Sequence, residues 1–282
     1  MKVTLLCDNN TRIDRYFYGE PGFSALIEEA DRKILLDTGY TDIFLRNAQL
    51  LGLDLKEIDS LIFSHGHDDH TRGLSELIKY YEAAQMKKKV ELIGHEKAFE
   101  PKSDDGREIG FTLRESALEY YFRIRKENKP LHLTENLVYL GEIPRRNSFE
   151  NKTTFGVTQN ASGELEPDYI IDDTSLAYKT EEGIVIVTGC CHAGICNTIE
   201  YTKEVCGDDR ILDVIGGFHL LDVDPSVMAQ ILSYLSTQKI ATMHPCHCTD
   251  VKAIISLAQV VNVEDLGAGD SFSYPPDLRG KL

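Results

Sequence analysis

Residues 63–70 read Phe-Ser-His-Gly-His-Asp-Asp-His, so three of the chain's nine histidines crowd into one turn with two aspartates. If the backbone stays extended past Phe63, alternate residues project to the same side. His65 and His67 then aim their imidazoles at one point. Asp69 and His70 come as the chain turns into a helix and point elsewhere. One short segment thereby feeds two neighbouring points, with two ligands each. Imidazole with carboxylate is a donor set for zinc, with iron or manganese as alternatives. Gly66 permits the unusual angles and close packing such a turn needs. Asp68 faces solvent or supports a ligand from behind. A lone histidine is ordinarily structural or solvated; three in this register with an aspartate point to metal.

These side chains need elements to position them. Val3–Cys7, Lys33–Leu36, Ile58–Phe63 and Val90–Ile93 read as strands, as do Leu137–Leu140, Ser175–Tyr178, Ile184–Thr188, Arg210–Gly217 and Ile240–Met243. A final strand near Ser271–Tyr274 is weaker. Helices are expected at Thr41–Leu51 with Thr41 as N-cap, along the face Leu74, Leu77, Ile78 and Tyr81, and at Val251–Val260. Another is expected at Pro225–Thr237, with Asp224 as N-cap and Pro225 at its first position. Short apolar runs alternating with helical periodicity favour α/β layering. His192, His219 and His247, like the first cluster, each follow a strand candidate. Carboxyl ends of strands can converge on one sheet edge, where α/β folds bind ligands. Residues 100–135 are polar and turn-rich, with a short helix suggested by Ala117, Leu118, Tyr121 and Phe122. A lid or insertion is expected at about 100–135. No linker divides the chain, so a single domain is expected over 1–282.

Composition narrows the function. The chain has 282 residues, 42% of them hydrophobic, enough for a substantial core. Its 46 acidic and 30 basic residues give a net charge of −16, which repels phosphate backbones and argues against nucleic-acid partners. No apolar run reaches the roughly 18 residues of a membrane span, and Met1–Asn10 lacks the features of a secretory signal. The seven cysteines form no disulfide framework, so reduced thiols and a cytoplasmic setting are expected. Cys190, Cys191, Cys246 and Cys248 read as small packing residues lining the site.

His65-Gly66-His67-Asp68-Asp69-His70 matches the HxHxDH signature of the metallo-β-lactamase-fold hydrolases, and Asp37 in Leu35-Leu36-Asp37-Thr38-Gly39 also fits that family's pattern. The resemblance implies a four-layer αββα sandwich with its site at one edge between the sheets. It implies His65 and His67 as ligands of one metal, Asp69 and His70 as ligands of a second in a binuclear site, and Asp37 as a support behind the ligands. The family then supplies a histidine, a bridging aspartate and a final histidine. His247 in His244-Pro245-Cys246-His247-Cys248 resembles the last of these. Thr188-Gly189-Cys190-Cys191-His192 falls where the bridging residue belongs but holds no aspartate. His192 is either the first metal's third ligand or the occupant of the bridging place, with Asp172 and Asp173 as lesser candidates. His219 is either a ligand or a general acid over the leaving group, for which histidine's near-neutral pKa is suited. His95 and His132 are read as surface or core residues, and His244 at most as a support to the site.

The stretches SHGHDDHTRGL, TGCCHAGICNT, IGGFHL and HPCHCT resemble one subgroup of the family. Its members are generally metal-dependent hydrolases of unassigned substrate, and it includes the dihydropterin–ribofuranosylaminobenzene phosphate synthase of methanopterin biosynthesis. The expected activity is hydrolysis of a small ester or phosphoester by hydroxide generated at one or two divalent ions, most simply Zn2+, with Asp69 and His219 as catalytic residues. The alternatives are pterin transfer with displacement of pyrophosphate, or a noncatalytic or redox metal-binding protein. Arg107, Arg145 and Arg146 are candidates to hold a phosphorylated small molecule.

Overall fold

A computed structural model describes residues 1–150, 153–159 and 163–276. The last residues of the expected domain, 277–282, lie outside them.

Strand sequences with apolar residues on both faces build two stacked sheets. In Ile184–Thr188, Val185 and Val187 point to one buried cluster and Ile184 and Ile186 to another. The same split separates Ile34 and Leu36 from Leu35 in strand Arg32–Leu36, and Ile62 from Leu61 in Ser60–Ile62. The cluster holding Val3, Leu5, Ile34, Tyr139, Tyr178, Val185 and Ile215 draws on both sheets and is the core between them. Two flanking clusters pack helices outside. Phe44, Leu74, Leu77 and Tyr81 cover the first sheet. Ile195, Ile199, Ile231, Leu235, Ala253 and Leu257 cover the second. The order of layers is therefore helix, sheet, sheet, helix, as expected.

The first sheet has seven strands in the order Ser271–Ser273, Lys2–Cys7, Ser24–Glu29, Arg32–Leu36, Ser60–Ile62, Val90–Gly94 and Phe122–Lys126. The second has six: Lys239–Cys246, Arg210–Gly217, Ile184–Thr188, Ser175–Lys179, Leu137–Tyr139 and Leu131–His132. Arg32–Leu36 runs parallel to Ser60–Ile62, and Ile184–Thr188, Arg210–Gly217 and Lys239–Cys246 are parallel to one another. Their carboxyl ends release Asp37, His65, Cys190, His219 and His247 at one edge of the stack.

Several boundaries differ from the sequence reading. The first helix is Ile43–Leu50 and follows Asp42, whose side chain makes no cap bond, while the Thr41 hydroxyl bonds Glu20 Oε2 at 2.6 Å instead. Asp224 does cap Pro225–Leu235, accepting from the Ser226 amide, and Asp250 caps Val251–Leu257 through the Ala253 amide. Within 100–135, Glu115–Leu118 is the short helix, but Phe122 starts a strand that pairs parallel with Val90–Gly94. Phe122 is buried beside Tyr81, so tertiary packing takes it from the helix. Lys102–Asp104 and Arg107–Glu108 join Val157–Gln159 and Leu165–Pro167 in a small four-stranded sheet at the site's rim. No helix among the described residues is long and apolar enough to cross a membrane.

Candidate metal centre

The first cluster sits where Ser60–Ile62 ends and helix Asp68–Thr71 begins. His67 is extended at φ −70°, ψ 152°, so the alternation of His65 and His67 holds. Their nearest ring nitrogens, His65 Nε2 and His67 Nδ1, face each other at 3.0 Å. Gly66 is required for space: a Cβ there would lie 2.6 Å from the Ala98 carbonyl. Its amide donates to Asp172 Oδ2 at 2.7 Å, and Asp172 accepts in turn from buried Lys102 at 3.1 Å. Asp172 thus clamps the loop rather than entering the cluster. Asp173 accepts from the Ala193 amide at 2.8 Å and holds the His192 turn in the same way. Burial pushes the Asp173 carboxyl up to about 7, against the lowering effect of the Ala193 and His192 amides.

His192 lies with its ring centroid 4.7 Å from that of His65 and 4.8 Å from that of His67. Of the two places considered for it, the geometry puts it beside this pair. His70 and His247 form the other group, with Nε2 atoms 3.1 Å apart. Asp69 reaches the same group, its carboxylate oxygens 3.7 Å from His70 Nε2 and 3.4 Å from His247 Nε2. Burial disfavours the Asp69 charge, but His70 and His247 outweigh it and hold the carboxyl far below its usual range.

The supports fix which nitrogen of each ring faces inward. Asp37 is fully buried and accepts from the Ser64 amide at 2.7 Å, the Ser64 hydroxyl at 2.6 Å and His70 Nδ1 at 2.7 Å. Ser64 Oγ in turn lies 3.0 Å from His65 Nδ1. Asn9 Oδ1 lies 2.9 Å from His247 Nδ1, and Asp8 accepts the His247 amide at 2.9 Å. With Nδ1–H donated outward, His65 Nε2 faces His67 Nδ1, and His70 Nε2 faces His247 Nε2. Facing ring nitrogens at these distances need a proton or a cation between them. Ligands about 2.0–2.1 Å from a tetrahedral zinc stand roughly 3.3 Å apart. The observed 3.0 and 3.1 Å separations come close to that, so the residues fit a divalent ion. Ser64, Asp8 and Asn9 were missed by the sequence reading; outward-held ring nitrogens are the general signal for such partners.

The cysteine expectation needs correction at two positions. Cys246 belongs to the core between the sheets, and Cys191 packs behind the site with its thiol 3.3 Å from Thr198 Oγ1. Cys190 and Cys248 instead line the cavity, with Cys190 Sγ 3.3 Å from His70 Nε2. Three groups of converging donors exist among the described residues: His65, Cys190 and His192; His70, Cys190 and His247; Cys190, His219 and Cys248. Asp37, Cys191, His219 and His247 carry φ of 57°, 60°, 50° and 49°, so left-handed, strained backbone gathers at the site.

His219 stands beside this centre, its ring centroid 4.1 Å from that of His192, and its buried Nδ1 has no hydrogen-bond partner among the described residues. Burial works to lower its pKa, but Cys248 and nearby carboxylates more than offset this and raise it. A cavity of about 580 Å³ opens over the cluster, lined by His67, Asp69, His192, His219 and His247 together with Tyr40, Arg107, Ile109 and Phe155. Arg107 and Ile109 come from the expected lid interval. Arg145 donates to the Tyr169 and Ile170 carbonyls at 2.6 and 2.7 Å, and Arg146 pairs with Glu204, so neither lines this cavity. His95 accepts from the Lys97 amide, His132 lies in a sheet-edge strand and His244 bonds Asp213 at 2.9 Å, all away from the cluster.

Residues 18–144 match the model of the metallo-β-lactamase superfamily. The chain is 30% identical to the 7,8-dihydropterin-6-methyl-4-(β-D-ribofuranosyl)-aminobenzene-5′-phosphate synthase of Methanocaldococcus jannaschii, covering 90% of this chain and 89% of that protein. It is 32% identical to an uncharacterized protein of the same organism, over 92% and 95% of the two chains. A solved structure named as a metal-dependent hydrolase of the β-lactamase superfamily superposes with a TM-score of 0.82 at 29% identity, covering 97% of this chain and 98% of that one.

Proposed function

We propose a function from one premise: the chain belongs to the metallo-β-lactamase superfamily. It acts as a metal-dependent hydrolase on a small ester or phosphoester. The observation that carries this reading is the pairing of inward-facing imidazoles with a cavity that also presents a histidine and an arginine.

His65, His67 and His192 would hold one ion, and Asp69, His70 and His247 a second, zinc being the simplest occupant of such a donor set. A divalent ion there supplies Lewis acidity and lowers the pKa of water from 15.7 to about 7. The chain's own residues do the rest. Arg107 offers its guanidinium to an anionic group of the substrate. Asp69 accepts a hydrogen bond from the attacking water and orients it. His219, which lines the cavity beside His192, gives a proton to the leaving oxygen. Phe155 and Ile109 wall the cavity with apolar surface and limit water.

A second reading has its own support in the synthase from M. jannaschii. The same centre could bind a diphosphate and promote its displacement as pyrophosphate from a pterin substrate. The two readings separate in one assay series. Zinc-loaded protein is given chromogenic phosphodiesters, phosphomonoesters and esters, and separately a dihydropterin diphosphate with an aminobenzene ribofuranosyl phosphate. Hydrolysis lost in His67→Ala supports the first reading; pyrophosphate release coupled to a joined product supports the second. His219→Ala is expected to lower turnover by about 10²–10⁴-fold while metal content stays near wild type. No turnover in either series with both positions filled would overturn the enzymatic reading.

A further inference from the structure

Cys190 is the residue common to all three groups of converging donors. Its ligand atom lies within 4.8 Å of those of His65 and His192 on one side, and of those of His70 and His247 on the other. The side chain is 4% exposed, and Sγ sits 3.3 Å from His70 Nε2. A sulfur 2.3 Å and an imidazole nitrogen 2.0–2.1 Å from one tetrahedral zinc stand about 3.5 Å apart.

We propose that Cys190 is a shared metal ligand, its thiolate joining the two cation positions where the family resemblance calls for a bridging carboxylate. The inference deepens the metal-dependent reading above and rests on it.

The fold explains why this cysteine, and not its neighbour, enters the cluster. Gly189 ends the strand against the Asp37–Ser64 support, where a Cβ would meet Ser64 Oγ at 2.1 Å. Cys191 then adopts φ 60° and sends its thiol to Thr198 on the far side. Adjacent residues therefore face opposite ways, and Cys190 alone of the two looks inward. A neutral thiol meets only part of what surrounds it, through its contact with His70. It has one proton to give, yet the ring nitrogens of His65 and His192 on one side and of His70 and His247 on the other converge on it. A thiolate between cations satisfies all of them together. Sulfur also sets a preference: a soft ligand selects zinc or cobalt over manganese or magnesium.

The test uses the full chain loaded with cobalt(II), read by absorbance and by metal analysis rather than by activity. Wild type is expected to show a thiolate-to-cobalt charge-transfer band in the near ultraviolet. Cys190→Asp should lose the band yet keep its metal, because a carboxylate can also bridge. Cys190→Ala should lose the band and part of the metal, and Cys248→Ser should keep the band. Circular dichroism on each variant confirms that the chain is folded. A band absent from cobalt-loaded wild type, or one that survives Cys190→Asp, overturns the bridging role while leaving the metal-dependent reading intact. Failure of wild type to take up either cobalt or zinc overturns both.

Discussion

Replacing Asp37 with asparagine tests how the histidines are held. Asp37 is enclosed, and its φ of 57° is one that asparagine tolerates, so the backbone has no reason to move. Oδ1 accepts from the Ser64 amide, while Oδ2 accepts from both the Ser64 hydroxyl and His70 Nδ1. An asparagine has a single acceptor oxygen. With that oxygen on the Ser64 amide, its NH2 confronts the His70 Nδ1–H. Two donors cannot share the contact, so His70 moves its proton to Nε2 and loses the lone pair that faces the centre. Ser64 Oγ loses its acceptor too, which loosens its contact with His65 Nδ1. Removing a carboxylate behind a ligating histidine costs about 10–100-fold in metal affinity, equal to about 1.4–2.7 kcal/mol. Competition against a chromophoric chelator measures this directly, with the far-ultraviolet spectrum as a check on folding. Zinc affinity within about twofold of wild type would refute the argument that Asp37 sets the tautomer.

Three other expectations follow from the same geometry. In metal-free protein, Asp69 and Asp37 outweigh burial and raise His70 from 6.5 to about 9. Its contribution is full below pH 6.5 and is lost as pH rises through 9, an alkaline limb of about 3 kcal/mol by linkage. Burial lowers His65, His67 and His192, with His67 falling to about 3, so their contribution is full above pH 6.5 and is lost as pH falls towards 3. Melting temperatures of chelator-treated protein should therefore peak near pH 6.5, and a flat profile from pH 5 to 9 would contradict the burial of these rings. Lys102→Met leaves Asp168 and Asp172, 2.6 and 3.1 Å from the lost ammonium, buried without their cation. Urea denaturation should show a loss of about 3–5 kcal/mol; a loss below about 1 kcal/mol would show that the pair relaxes to solvent.

The part of this centre legible in the sequence is the part that is local. His65, His67, Asp69 and His70 are fixed by a period of two followed by a helical turn, and both periods are visible in six residues. The α/β layering is legible in apolar runs that alternate with helical periodicity, whereas the four-layer order rests on the family resemblance; in the structure strands such as Ile184–Thr188 are buried on both faces. The long-range partners are not legible. Asp8 meets His247 across 239 positions, and nothing in the spacing of either residue declares that contact. Cys190 reads as a packing residue lining the site because free cysteine usually packs; its direction toward the cluster, set by Gly189 and the turn at Cys191, is not visible in the sequence. Helix Ile195–Cys206 escaped notice because it starts after Gly194 at φ 97° with no side-chain cap, so the usual start signal is missing. Strand Ser24–Glu29 ends in two glutamates, and Glu29 is nevertheless buried, which an apolar-run criterion passes over.

The most direct measurement is equilibrium metal content. Purified chain is stripped with chelator, dialysed against buffered zinc and analysed by atomic emission beside His65→Ala and His247→Ala. The account predicts stoichiometric zinc in wild type, a raised melting temperature on loading, and less zinc in each variant. A folded wild-type chain that comes out of dialysis free of zinc, with its melting temperature unmoved, would contradict it.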